Sequence, residues 1–479
     1  TVACLFLFAL AAPHSIAGAQ VAWLLAMLFW VARFFARPRP KIYRTPVDPW
    51  LLGFFVLTFL TALTSYDPEV SIGKLRAASL FTIVYVTAES VRDPKVLRAL
   101  VLTLVASCAL GVVHTFGVFA AGRGVKVRAL ASDSPLRAAG VEEGDTIQSV
   151  DGANVNHPEE IVRAITTERP SANKTYRWPD GSRACAWDER SACVRVYRAE
   201  VIPAFNVARG ALHAGDTAEA RLYQTYSEVL QLIASLALGL LVAVRRKWSL
   251  TGALLMVALA GMCGALLLTL TRASWAGFAL SSLTIVTVGA SRRTLLVLAA
   301  VALPLVVAGL FVLQQKRQVG LFDLRDESTS WRLMVWRDGA RVLASEPRHI
   351  IVGVGMDSLK RHWREWGMFD QGRQPWGHLH STPLQIAFER GVPTLLVWAA
   401  WLFVYVRVLW RELRLGAFGS WVERGLVLGA LGGTVGFVAG GLVHYNFGDS
   451  EVVMVFYFVM GLALAAHEIN RLHARAQEG

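Results

Sequence analysis

Charge is what this chain has least of. Of its 479 residues only 17% are charged while 54% are hydrophobic, with a mean hydropathy of +0.44. Soluble domains carry roughly 25% charged residues. The deficit excludes a disordered chain and argues against a conventional cytosolic enzyme. Acidic groups are the scarcer sign: 35 Asp+Glu against 48 Lys+Arg leave a net charge of +13. In a polar chain that excess would suggest nucleic acid. Here the apolar content makes a lipid membrane the partner instead, with basic residues placed by topology or by anionic substrates. Cysteine is sparse, and no Cys/His spacing suggests zinc. Cys4, Cys108 and Cys263 lie in apolar runs and read as small packing residues. Cys185 and Cys193 stand eight apart in a polar stretch, where an oxidising compartment would permit a disulfide. Related halves, the mark of many transporters, are also missing.

What is there is a succession of apolar segments, most near the ~20 residues that cross a hydrocarbon core of about 30 Å, with the first, third and fourth shorter. They run Val2–Ala12, Ala17–Phe35, Trp50–Leu63, Leu75–Ala88 and Leu97–Ala120, then Val229–Val244, Ser249–Leu270, Ser274–Ala290 and Thr294–Leu313, and last Val392–Leu409, Gly425–Val443 and Val452–Ala466. The count is twelve, an α-helical polytopic membrane protein. The first run is followed at once by others and reads as a span, not a signal peptide. With the N-terminus in the cytoplasm, the inside loops hold Arg37 to Lys41, Arg92/Lys95/Arg98, Arg245-Arg246-Lys247, Arg292-Arg293 and Arg407/Arg411/Arg414, and the tail holds Arg471 and Arg475. Every short inside loop is basic, as the positive-inside rule requires, and both termini fall in the cytoplasm. The Gly425/Gly429/Gly433 series in the eleventh span suits close helix packing, within the protein or as a dimer seam.

The division by residue number is 1–120 for five spans, 121–205 for an outside domain, 206–313 for four spans, 314–391 for a large outside loop, and 392–479 for three spans and a tail. The outside domain alternates apolar and polar residues as strands do, as in Val194-Arg195-Val196-Tyr197. Its stretch Ser134-Pro135-Leu136-Arg137-Ala138-Ala139-Gly140-Val141, Gly144-Asp145-Thr146-Ile147 and Val150-Asp151-Gly152 resembles a bacterial PDZ domain. The resemblance implies a small α+β module whose helix opens at His157-Pro158-Glu159-Glu160, serving as a docking surface for a periplasmic protein. The fifth span ends almost directly before this core, where a PDZ domain has a first strand and carboxylate-binding loop.

Chemistry concentrates at the outer face. Arg272, between two apolar runs with scarcely a loop, is an ionisable group at the membrane edge. Arg221 precedes the sixth span; Lys74 and Arg76 open the fourth. The second loop ends Gly377-His378-Leu379-His380-Ser381. Two histidines at that spacing are weak evidence for a metal, and none is expected.

Together, Thr271-Arg272-Ala273-Ser274-Trp275, Trp331-Arg332-Leu333-Met334-Val335-Trp336, Gly353-Val354-Gly355 and His380-Ser381 with Leu384-Gln385, Glu389, Gly391-Val392-Pro393 resemble the ordered motifs of the O-antigen ligase and polymerase superfamily. Ser381 stands where Asn is usual, and Pro383 where a large residue is common. The resemblance implies a GT-C-type glycosyltransferase of the bacterial inner membrane, active at the periplasmic face in lipopolysaccharide assembly. It would move a glycan from undecaprenyl diphosphate to lipid A–core, inverting the anomeric centre, without metal or cofactor. Arg272 and Arg221 would then neutralise the leaving diphosphate, as fixed guanidinium forks do. His380 is the general base and His378 the alternative. Arg332, Lys74 and Arg76 would contact donor or acceptor. Runner-up activities are O-antigen polymerase and protein O-oligosaccharyltransferase. From other classes, a twelve-helix secondary transporter or a tethered scaffold would leave Arg272 and the His380 loop unexplained.

Overall fold

A computed structural model describes residues 1–37, 44–121, 124–127, 130, 132–166, 174–177, 184–187, 190–197, 204–208, 218–219, 224–269, 271–291, 327–372 and 377–478. The chain divides into two compact units. One holds Thr1–Gly111, Gln224–Leu267 and Thr271–Gly479; the other holds Val112–Tyr223 with Leu268–Leu270.

The first unit is helical, as its composition requires. Seven of the described helices are long and apolar enough to cross a membrane: Pro68–Ser90, Pro94–Gly117, Thr225–Ala243, Leu250–Leu268, Thr382–Leu415, Trp421–Gly441 and Ser450–Leu472. Val2–Ala11, Ile16–Ala32 and Asp48–Leu63 are shorter apolar helices at the first three expected spans. Arg272–Gly289 lies on the eighth. The ninth expected span, Thr294–Leu313, falls outside the described residues. The chain is a multi-pass membrane protein.

The glycine series has a packing role inside this unit. Helix Trp421–Gly441 lies against two others through bare backbone. A Cβ on Gly429 would stand 2.6 Å from the Cα of Leu236, and one on Gly277 would stand 2.7 Å from the carbonyl of Gly436. Small residues four apart permit that approach. Buried hydroxyls join the same helices: Ser235 to Ser281 at 2.6 Å and Ser227 to Ser274 at 2.7 Å.

Helix Thr382–Leu415 is broken by its own sequence. Gly391 takes φ +79° and Pro393 follows. Proline has no N–H to offer the carbonyl of Glu389 four residues back. The N–H of Gly355 fills that vacancy at 2.9 Å, and the N–H of Val354 takes the carbonyl of Phe388 at 2.9 Å. The Gly353-Val354-Gly355 motif is thus stitched to the kink. The segment so anchored has an apolar core of its own, including Val335, Leu359, Met368, Phe369, Leu379 and Phe388.

The second unit contains an antiparallel sheet. Its strands are β1 (Val125–Lys126), β2 (Thr146–Val150), β3 (Ala153–Asn154), β6 (Ser191–Tyr197), β7 (Ala204–Ala208) and β8 (Ala218–Glu219), in order β7-β6-β2-β1-β8 with β3 on β2. β4 (Lys174–Arg177) and β5 (Ala184–Trp187) form a separate hairpin. Asp151 and Gly152, at φ +50° and +78°, make the tight β2–β3 turn, a conformation that Asp-Gly adopts readily. Helix Pro158–Thr166 starts where His157-Pro158 places it, with Glu160 accepting from the N–H of Asn156 at 2.6 Å. Its Ile161 and Ile165 bury against Ile147, Val194 and Val196. Cys193 is disulfide-bonded, whereas Cys4, Cys108 and Cys263 are free. The Cys185 side chain lies outside the described residues, and we propose it as the partner.

Candidate active site

The site grows from one short segment, Gly377 to Thr382, at the start of a long helix. His380 takes φ +46°, a left-handed conformation unusual for a side chain of its size. Three contacts impose it. The Trp336 indole donates to the carbonyl of Leu379 at 2.8 Å, and the N–H of Leu379 donates to Gln385 Oε1 at 2.7 Å. One residue on, Thr382 donates to the carbonyl of His444 through its N–H and its hydroxyl, each at 3.1 Å. Non-glycine residues held at positive φ cluster where geometry serves function; Asp357, Phe369, Asp370 and Gln371 share this trait in the same loop.

Three imidazoles meet here. The rings of His378 and His380 lie 4.0 Å apart, and His444 lies 5.7 and 5.6 Å from them. The N–H of His380 donates to His378 Nδ1 at 3.1 Å, so the His378 proton, when neutral, belongs on Nε2. Trp331 meets His380 edge-on at 4.9 Å. Burial, then the charges of His444 and Lys360, depress His378 to about 4. Burial, then His378, His444 and Arg332, depress His380 to about 2. Both rings are neutral at neutral pH.

A buried carboxylate backs the third ring. His444 Nδ1 lies 2.6 Å from Glu228 Oε1, with both side chains almost wholly enclosed. Asp449 adjoins them; burial and the charge of Glu228 push its carboxyl up to about 6. Donor atoms of His378, His380 and His444 lie within 4.8 Å of one another, as do those of Glu228, His444 and Asp449. Two ligands of a tetrahedral zinc stand roughly 3.3 Å apart, given zinc–ligand bonds near 2.0–2.1 Å. The 2.6 Å approach of Glu228 to His444 is shorter than that spacing, the distance of a direct carboxylate–imidazole contact.

Of the residues singled out from sequence, His378 and His380 form this cluster and Arg332 acts on it. Arg272 opens its helix two residues before Ser274, whose hydroxyl meets Ser227, the neighbour of Glu228, at 2.7 Å. Arg332 contributes to the field on His380. Lys74 reaches the cluster through a chain of contacts. It pairs with Asp357 at 2.6 Å, the Asp357 N–H donates to Glu389 at 3.2 Å, and the Tyr445 hydroxyl donates to Glu389 at 3.4 Å. The Tyr445 ring is 5.6 Å from that of His378. Burial opposes ionisation of Asp357, yet the hydrogen bond and charge of Lys74 and the charge of Lys360 outweigh it and lower its carboxyl. Arg76 is exposed and is not among the described residues that meet this cluster. Arg221 lies outside the described residues.

Sequence reasoning missed Glu228, His444, Tyr445 and Asp449. A signal existed for Glu228, a carboxylate inside an apolar helix, which is a functional candidate in any membrane span. The polar turn His444-Tyr445-Asn446 carried no such mark.

Residues 257–399 match the family model described as O-Antigen ligase. The matched span includes Arg272, Arg332, His378 and His380, and excludes Lys74 and the 121–205 insertion. No curated protein matches the chain.

Proposed function

Since the chain belongs, through residues 257–399, to the O-antigen ligase superfamily, and so is a glycan-transferring membrane enzyme with lipid-linked glycan and lipid substrates, we propose that it transfers O-antigen glycan from undecaprenyl diphosphate to lipid A–core at the periplasmic face of the inner membrane. The observation that carries the proposal is the meeting of neutral imidazoles with cationic residues in one neighbourhood. His378, His380 and His444 lie together, Arg332 acts on His380, and the start of the Arg272 helix adjoins Glu228.

Attack by an acceptor hydroxyl on the anomeric carbon needs a proton acceptor on one side and charge neutralisation on the other. His380 takes the hydroxyl proton, with His378 as its alternative. Arg272 and Arg221 serve to neutralise the diphosphate leaving group, and Arg332, Lys74 and Arg76 to contact substrate phosphates. A bound diphosphate brings negative charge to His380 and raises its basicity from the low value of the empty site toward the working range of a base. In-line displacement inverts the anomeric centre. Neither metal nor cofactor enters the scheme. The spans, twelve in all and GT-C-type, hold this site outward with both termini inside. The PDZ-like insertion, closed by Cys185–Cys193, serves as an accessory docking module.

The test supplies the purified enzyme with lipid-linked glycan and either lipid A–core or a second lipid-linked glycan. Glycan on lipid A–core is expected. Elongation of the lipid-linked glycan alone would replace ligase by polymerase.

A further inference from the structure

We propose that Arg390 and Lys74 form a phosphate-binding subsite beside the histidine cluster. The inference deepens the functional reading above and rests on its phosphate-bearing lipid substrates. A cavity of about 110 Å³ lies among Phe54, Lys74, Asp357, Glu389, Arg390 and Tyr445. Arg390 is only 7% exposed, yet its Nε and Nη1 have no hydrogen-bond partner. Its guanidinium lies 5.5 Å from the centre of the Phe54 ring, and its nearest carboxylate, Glu389, stands 3.9 Å from Nη2. Glu389 is already engaged, accepting from Gln385 at 2.9 Å, from the Asp357 N–H and from the Tyr445 hydroxyl. A guanidinium so enclosed, with two donors unmet, is costly unless an acceptor completes it.

The charge on the wall selects that acceptor. Asp357 is shared by two ammonium groups, Lys74 at 2.6 Å and Lys360 at 3.2 Å, and Arg390 faces one carboxylate. The lining sets Lys74 and Arg390 against Asp357 and Glu389, and Lys360 beside it tips the neighbourhood to net positive. Phosphate oxygens suit both the guanidinium fork and the neighbouring ammonium. Tyr445 lines the cavity and touches His378, which sets the subsite one side chain from the imidazoles. Both a donor diphosphate and the phosphates of an acceptor lipid have the required chemistry.

Calorimetric titration of inorganic pyrophosphate into the purified full-length protein reads this subsite without glycan chemistry. Wild-type binding should weaken about tenfold or more in Lys74→Gln and in Arg390→Gln, and stay closer to wild type in Arg390→Lys. Lys74 is half-exposed, so Lys74→Gln reports even where Arg390→Gln does not fold. Unchanged affinity in Lys74→Gln, or no pyrophosphate binding by the wild type, overturns the subsite. Competition by undecaprenyl diphosphate assigns it to the donor, and competition by lipid A–core assigns it to the acceptor. Competition by a neutral oligosaccharide and by neither lipid overturns it in favour of a sugar site. Arg390-dependent pyrophosphate binding by a protein that transfers no glycan would remove the functional reading and leave the subsite standing.

Discussion

Glu228 and His444, 216 positions apart in sequence, approach to 2.6 Å between Oε1 and Nδ1 in an interior that hides both. Removing one partner of a buried polar pair leaves the other group unsatisfied, at about 1–3 kcal/mol and more where it is charged. His444→Ala should therefore lower the melting temperature sharply. Glu228→Gln with His444→Gln, which replaces both titratable groups by amides of similar size, should recover much of that loss. Thermal unfolding of the purified variants decides, and a double variant as unstable as His444→Ala would count against the pairing.

Arg272→Ala and His380→Ala should each lower glycan transfer by about 10²-fold or more while protein levels hold, since a positioned base contributes about 10²–10⁴ and one lost electrostatic donor about 10²–10³. Initial rates with lipid-linked donor measure this. Wild-type activity in either variant removes the proposed mechanism.

Transfer should persist in EDTA. In the proposed scheme cationic side chains supply the neutralisation that a divalent ion would otherwise provide. The same donor assay after exhaustive chelation tests it, and activity that returns only on adding a divalent metal would refute the arginine account.

Gly391→Ala should destabilise the outer loop much more than Gly416→Ala. Both glycines have positive φ, +79° and +69°. A Cβ on Gly391 would collide with the backbone of Ile351, whereas one on Gly416 would meet nothing within 4 Å. Left-handed strain alone costs roughly 1 kcal/mol. Gly391→Ala adds the collision and pulls the kink off Gly353 to Gly355. Limited proteolysis and thermal unfolding of the pair should rank them in that order.

That kink also marks how far the sequence could be read. Gly391-Val392-Pro393 and Gly353-Val354-Gly355 stood out as motifs, because positive φ and a missing N–H leave an unmistakable residue choice. The hydrogen bonds from Val354 and Gly355 to Phe388 and Glu389 before the kink, each linking positions 34 apart, were not legible. Apolar runs located most of the helices, since burial in lipid acts on every residue of a span. His380 and Arg272 were visible by type and place. The pairing of Glu228 with His444 was not, because it exists only once two segments 216 positions apart converge. The 382–390 segment, read as loop, is helical: Thr382 starts a helix that the kink later redirects.

Acid should destabilise the protein through its histidines, and the sign follows from their environment. Unfolded histidine takes its proton near 6.5, but folded His378 waits until about 4 and His380 until about 2. Between those limits the unfolded chain binds more protons, so stability falls as pH drops below 6.5, by about 1.4 kcal/mol per pH unit for each ring. Asp449 acts the other way: its folded carboxyl protonates at about 6, before the unfolded one, and stabilises the fold as pH falls toward 4. Two rings outweigh one carboxyl. Melting temperature should thus decline from pH 7 to pH 5 in the wild type. His378→Asn with His380→Asn should flatten or reverse that decline, exposing the Asp449 contribution. A double variant with the wild-type slope would show that the pair does not carry the buried neutral rings the structure assigns to it.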